Sequence, residues 1–192
     1  FDGHGGNSTS AYVSMFIQDA YRIAAAKFTK KFFYTIMRKL DKIIHNRKFT
    51  DGTTVAACIF NGKKIISGHL GDSRILVISN DGKVKYATKD HKATSREEFE
   101  RIHMEGGRVE DMRTHGILAL GRSIGDKSVP GTSSIPEIHE YAIQPDDKWI
   151  IVACDGVFDV LSNEFIGQYA SHAQNATELA TDIRNLAYAN LS

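Results

Sequence analysis

The sequence predicts an α/β (α+β) sandwich, a mainly antiparallel sheet covered by helices. Three observations predict it. The first fifty residues follow a helical hydrophobic period, the period changes to two after Asp51-Gly52, and helix-start signals return at Ser95 and Ser162. Residues 1–192 are expected to form one domain, because 192 residues with 42% hydrophobic content and three prolines suit one sizeable core. A net charge of +1 gives no global signal for nucleic acid. No apolar run is long enough to span a bilayer, and no signal peptide is visible. Cys58 and Cys154 lie in apolar runs and read as reduced core residues of an intracellular protein.

Ser8 and Thr9 read as caps of a helix with Tyr12, Met15, Phe16, Ala20 and Ile23 on one face. A second helix places Phe28, Phe32, Phe33, Ile36, Leu40, Ile43 and Ile44 inward. Its opposite face carries Lys30, Lys31, Arg38, Lys39 and Lys42 and reads as solvated. Four strands follow at Thr53 to Phe60, Lys64 to Leu70, Ser73 to Ser79 and Lys83 to Thr88. The turns between them, Asn61-Gly62, Gly71-Asp72 and Asn80 to Gly82, are too short for parallel crossovers, so the strands read as an antiparallel meander. Ser95 to Glu98 reads as a capping box opening a helix with Phe99 and Ile102 inward, ended by Gly106-Gly107. Ile135 to Ile143 and Trp149 to Cys154 read as strands, the second apolar enough for burial on both faces. Ser162 caps a helix with Phe165, Ile166 and Tyr169 inward, and a last helix carries Leu179, Ile183, Leu186 and Leu191.

The chemistry lies at the strand ends. Asp2, Asp72 and Asp155 each sit beside glycine where an apolar run stops. A carboxylate at the mouth of a buried strand needs a compensating charge, which a divalent cation supplies. Carboxylates and glycine carbonyls are hard oxygen donors suited to magnesium or manganese. His4 lies two residues beyond Asp2 and is placed to donate a proton. Asp51 and Asp81 lie in polar surroundings and read as ordinary turns. His69 and His91 read as structural hydrogen-bonding groups.

These segments resemble, in order along the chain, the metal-dependent Ser/Thr protein phosphatases of type 2C. The matching segments are Asp2 to Gly6, Gly52-Thr53-Thr54, Gly71 to Arg74, Asp90-His91-Lys92, Arg101-Ile102 with Gly106-Gly107 and Val109, Arg122 to Asp126, Pro136-Glu137 and Asp155 to Ser162. The resemblance implies two mainly antiparallel β-sheets flanked by helices. It implies Mg2+ or Mn2+ as cofactor, two ions in the catalytic centre and a third, weaker one in some members. By the same resemblance Asp2 bridges two ions, the Gly3 carbonyl binds one, Asp155 binds the other, Asp72 serves the third, and His4 is the general acid. The implied reaction is hydrolysis of phosphoserine and phosphothreonine in proteins by a water activated between two metals. Phosphoprotein substrates, a monomeric state and a cytoplasmic or nuclear location accompany it. The family's upstream acidic residue and phosphate-binding arginine, and its downstream Asp-Asn ligand, have no counterparts in residues 1–192. The domain is therefore expected to be truncated or incompletely ordered at both ends. The rival expectation is a catalytically inactive fold of this kind that serves as a binding or regulatory module.

Overall fold

A computed structural model describes residues 1–24, 29–60 and 62–191, without the side chains of Ile23 and Ala24. The inward placements expected of Ile23 and Phe28, and Asn61 of the first hairpin turn, therefore lie outside the described residues. In chain order the elements are β1 (Gly3–His4), α1 (Ser8–Ala24), α2 (Lys30–Asn46), β2 (Gly52–Thr53), β3 (Val55–Phe60), β4 (Lys64–Leu70), β5 (Arg74–Ser79), β6 (Val84–Ala87), α3 (Arg96–Met104), β7 (Val109–Glu110), β8 (Arg113–Thr114), β9 (Ile124–Gly125), β10 (Glu137–Ala142), β11 (Asp147–Ala153), α4 (Asp155–Phe158), α5 (Asn163–His172) and α6 (Ala176–Asn190). No helix among the described residues is long and apolar enough to cross a membrane.

The strands make small antiparallel sheets. Two of them, ordered β10-β4-β3 and β11-β5-β6, form the body of the molecule. Helices cover both. Val13 of α1 and Phe33, Ile36, Met37, Leu40 and Ile44 of α2 pack with Val55 and Leu70 of the first sheet. Leu76 and Ile78 of the second sheet pack against Phe158, Ile166, Leu179 and Ile183 from α4, α5 and α6. The sheets meet each other through Ser67 Oγ of β4 and Tyr86 Oη of β6, 2.9 Å apart, and through the stacked rings of Tyr86 and His139. The expected sandwich of antiparallel sheets flanked by helices is thus the observed architecture.

Several details differ from the reading of the sequence, each for a physical reason. The four-strand meander is divided between the two body sheets, because the chain crosses from one to the other at Gly71, whose φ of +90° turns it there. The run from Thr53 to Phe60 is broken at Thr54, whose N–H donates to the Asp2 carbonyl at 2.9 Å and not into the β3–β4 ladder. β11 is not buried on both faces. It is an edge strand among the described residues, with Ile150 37% and Val152 45% exposed, while Trp149, Ile151 and Ala153 face α5 and α6.

Among the helices, Val13 is fully buried and Met15 exposed, so the inward stripe of α1 is rotated from the one expected. Phe99, Phe165 and Leu191 are also exposed. The capping box at Ser95 does not close: Ser95 makes no side-chain cap bond, and the Glu98 carboxylate is drawn to two arginines while the Ser95 N–H donates to the Lys92 carbonyl at 2.9 Å. Ser162 caps α5 as expected, accepting from the Phe165 N–H at 3.1 Å.

Candidate active site

Asp2 is fixed by the threonines opposite it. Its carbonyl accepts from the Thr54 N–H at 2.9 Å and from Thr53 Oγ1 at 3.1 Å, and its own N–H donates to Thr54 Oγ1 at 3.1 Å. Thr54 Oγ1 also lies 2.6 Å from Ser73 Oγ, which joins the Asp2 turn to the turn that carries Asp72. Asp72 is buried behind that turn. Asp155 arrives from the other side as the first residue of α4, directly after β11.

Asp2, Cys154 and Asp155 bring their ligand atoms within 4.8 Å of one another. Burial pushes the Asp155 carboxyl up, and the hydrogen bond and charge of Asp2, with the charge of Asp159, push it further. Burial and the charge of Asp155 push Asp72 up to about 6. Nearby cations are already engaged elsewhere. Arg74 makes a two-toothed pair with Asp90 at 2.9 and 2.7 Å and bonds Asn163 at 2.7 Å, and Lys92 pairs with Asp159 at 2.8 Å. Carboxylates that crowd together and raise one another's pKa suit a divalent cation, and oxygen donors suit a hard one. The residues present therefore fit Mg2+ or Mn2+. Gly3 lies between Asp2 and His4, and a Cβ there would meet Ser10 Oγ at 2.7 Å and the Gly6 carbonyl at 2.9 Å, so the turn closes tightly over the start of α1.

His4 stands on a separate three-stranded sheet, ordered β1-β2-β9. β2 lies in the middle, with Gly52 opposite both His4 and Gly125. That pairing brings Asp126, next after β9, to His4 Nε2 at 2.7 Å. Ser123 Oγ donates to the same carboxylate oxygen at 2.5 Å. Burial works against a charged His4 ring, yet the hydrogen bond and charge of Asp126, with the charges of Asp2 and Asp72, outweigh it and raise the pKa.

The sequence reading passed over two residues. Asp126 repeats the Gly-Asp signal of Gly71-Asp72, but its partner is 122 residues away. Asp51 is not a simple polar turn residue. It is buried, its carboxylate accepts from the N–H groups of Ser8 and Thr9 at 2.6 and 3.3 Å and from Thr9 Oγ1 at 2.7 Å, and so it caps α1 from outside the helix. Ser8 and Thr9 are the first helical residues rather than the cap.

The remaining histidines are structural where their bonds are seen. His69 Nε2 donates to the Lys89 carbonyl at 2.8 Å, and its ring stacks on His91 at 4.3 Å. The ligand atoms of His69, His91 and Glu137 also lie within 4.8 Å of one another. His91 Nδ1, however, accepts from the Gly71 N–H at 3.2 Å, which leaves the proton on Nε2, and Nε2 faces Glu137 at 3.4 Å as a donor. That arrangement is a hydrogen-bonded set without a free lone pair on His91. His115 is half-buried, and its Nε2 has no hydrogen-bond partner among the described residues. Both cysteines are free and half-buried.

The profile of the protein phosphatase 2C family matches residues 1–192, and the chain belongs to that family. It is 31% identical to protein phosphatase 1B from Homo sapiens, over 97% of this chain and 44% of that protein. It is 32% identical to the integrin-linked kinase-associated serine/threonine phosphatase 2C from Mus musculus, over 85% of this chain and 47% of that protein. The chain thus spans about half the length of the curated relatives it matches. In fold it is similar to a sex determining protein from C. elegans, with a TM-score of 0.84 and 24% identity over 98% of this chain and 52% of the other. It is similar also to a serine-threonine phosphatase 2C from Toxoplasma gondii, with a TM-score of 0.73 and 19% identity over 99% of this chain and 78% of the other.

Proposed function

We propose that the protein hydrolyses phosphoserine and phosphothreonine in protein substrates with the help of Mg2+ or Mn2+. The observation that carries this is the clustering of Asp2 and Asp155 within ligand distance, with Asp72 and Asp155 both raised in pKa, on the family's own sequence segments. Asp2, the Gly3 carbonyl and Asp155 would hold two cations and Asp72 a third. Cations held there supply the charge that activates water and offsets the negative phosphoryl oxygens.

The chain's own residues do the rest. The threonine bonds fix the Asp2 backbone, and the turn at Gly71 fixes Asp72, so the acidic floor is preorganised. His4 supplies the proton. The attacking water gives one proton to solvent, and its oxygen bonds to phosphorus as the bond to the seryl oxygen breaks. That oxygen takes a proton from the charged His4 ring, which is then re-protonated from solvent. No protein nucleophile is required, so Cys154 is a packing neighbour in this scheme.

The test is release of phosphate from a phosphoserine peptide by the full-length protein. Turnover is expected with added Mn2+ and to vanish in excess chelator. Equal turnover in chelator would refute the proposal.

A further inference from the structure

We infer that Asp126 is the positioning residue of His4: its carboxylate holds the ring by Nε2, so that Nδ1 is the nitrogen that delivers the proton. The inference rests on the reading of His4 as the acid and deepens it. Four observations support it. The Asp126 side chain is 9% exposed, and its Oδ2 accepts from both His4 Nε2 at 2.7 Å and Ser123 Oγ at 2.5 Å. A buried carboxylate that accepts a ring N–H fixes which nitrogen carries the proton and which way the ring faces.

The backbone is shaped to make this contact. Asp126 has φ +50°, in the left-handed region that aspartate tolerates better than most residues, and it follows Gly125 at φ +98°. The space between the partners is kept clear as well. A Cβ on Gly52 would collide with both the Asp126 carboxylate and His4 Nε2, so the central strand of the small sheet must be glycine there for the pair to close. Finally, Asp126 alone is hydrogen-bonded to the His4 ring among the described residues.

The experiment compares two substrates in the full-length protein saturated with Mn2+. A phosphoserine peptide has a leaving oxygen that needs a proton, and p-nitrophenyl phosphate has one that does not. Asp126→Asn keeps the side-chain shape and tolerates the left-handed backbone. It is expected to lower kcat for the peptide by about tenfold or more, inside the general-acid range. It should lower kcat for p-nitrophenyl phosphate by less than about threefold. Added to His4→Ala, it should change little further, because the two residues act as one unit. Ser123→Ala, which removes one hydroxyl, should show the same selectivity in weaker form and serves if Asp126→Asn does not fold.

The outcomes separate cleanly. If His4→Ala slows both substrates alike, the acid reading itself fails. If His4→Ala is selective while Asp126→Asn slows both alike, or its effect adds fully to that of His4→Ala, the positioning role is overturned. A second readout needs no turnover. In the metal-free protein, 15N ring shifts should place the proton of the neutral His4 ring on Nε2, and Asp126→Asn should move population to Nδ1. A wild-type ring protonated on Nδ1 would contradict the inference.

Discussion

Glu98 and Asp72 are buried acids in the same molecule, with Asp155 a half-buried one beside Asp72, and the two arrangements are built in opposite ways. Glu98 is 2% exposed, yet each of its oxygens meets an arginine: Oε2 accepts from Arg101 Nε and Nη2 at 2.9 and 2.8 Å, and Oε1 accepts from Arg122 Nε at 2.8 Å and pairs with Nη2 at 2.6 Å. Burial alone would push its carboxyl up, but the bonds and charges of Arg122 and Arg101 hold it below the usual range. Asp72 is pushed up instead, by burial and the charge of Asp155, and so is Asp155, by burial and by its hydrogen bond with Asp2 and the Asp2 charge. A chain able to supply two arginines to one glutamate leaves its strand-end aspartates short of positive charge. The first arrangement is complete in itself and holds α3 to the loop carrying Arg122. The second suits a cation from outside.

The largest effect that would break this contrast is loss of chemistry without loss of fold. Asp155→Asn should lower turnover of the full-length protein on the order of a thousandfold, as measured by phosphate release. Its circular dichroism spectrum should remain that of the folded protein. Unchanged turnover would move Asp155 into the same structural class as Glu98. Glu98→Ala should do the reverse. Removing it leaves two guanidinium groups uncompensated, and a cost of about 3 kcal/mol is expected in urea unfolding. That is the low end for a broken buried pair, since Arg101 and Arg122 are each nearly a fifth exposed.

His4→Ala sharpens the chemical side. It should slow hydrolysis of a phosphoserine peptide by roughly a hundredfold. p-Nitrophenyl phosphate, whose leaving group is stable as an anion, should be much less affected. Equal losses in kcat on the two substrates would remove the acid role.

The smallest effect concerns pH on the structural side. Burial and the neighbouring His91 ring depress the His69 pKa to about 4, against the weaker raising effects of the Lys89 carbonyl and Glu137, with Arg122 lowering it further. His69 is therefore neutral in the fold over a range where the unfolded chain binds a proton. Its contribution is complete above pH 6.5 and is lost as pH falls toward 4. By pH 5 the loss is about 2 kcal/mol. His69→Gln should flatten the stability curve over that window by about this amount, and an unchanged curve would show that His69 is not held neutral.

Much of this was legible in the sequence because local signals and tertiary structure agree. The turns at Gly71 and at Asn80 to Gly82 do separate strands, and the apolar stripe of α2 does face the core through Phe33, Ile36, Leu40 and Ile44. Asp72 and Asp155 do stand beside glycine just past the ends of β4 and β11, whereas Asp2 precedes β1 rather than ending a strand. What was not legible depends on distant partners. A two-residue turn looks the same whether it closes a hairpin or crosses between sheets, so the division at Gly71 leaves no local mark. The β7–β8 hairpin turns on Asp111-Met112, both at positive φ, in place of the Asn-Gly pair that would advertise it. Asp51 and Asp126 look like ordinary turn aspartates until strand pairing brings them to Thr9 and His4. Glu98 matches a capping box, but two arginines outbid one backbone N–H.

The most direct test of the central claim, that the aspartate cluster is built for a divalent cation, is the thermal midpoint of the full-length protein with and without Mn2+, in the wild type and in Asp155→Asn. The account predicts that Mn2+ raises the midpoint of the wild type. It also predicts that Asp155→Asn raises the metal-free midpoint, by relieving repulsion among the carboxylates, and that Mn2+ then adds little. A wild type indifferent to Mn2+, or a metal-free Asp155→Asn protein that melts lower than the wild type, would contradict it.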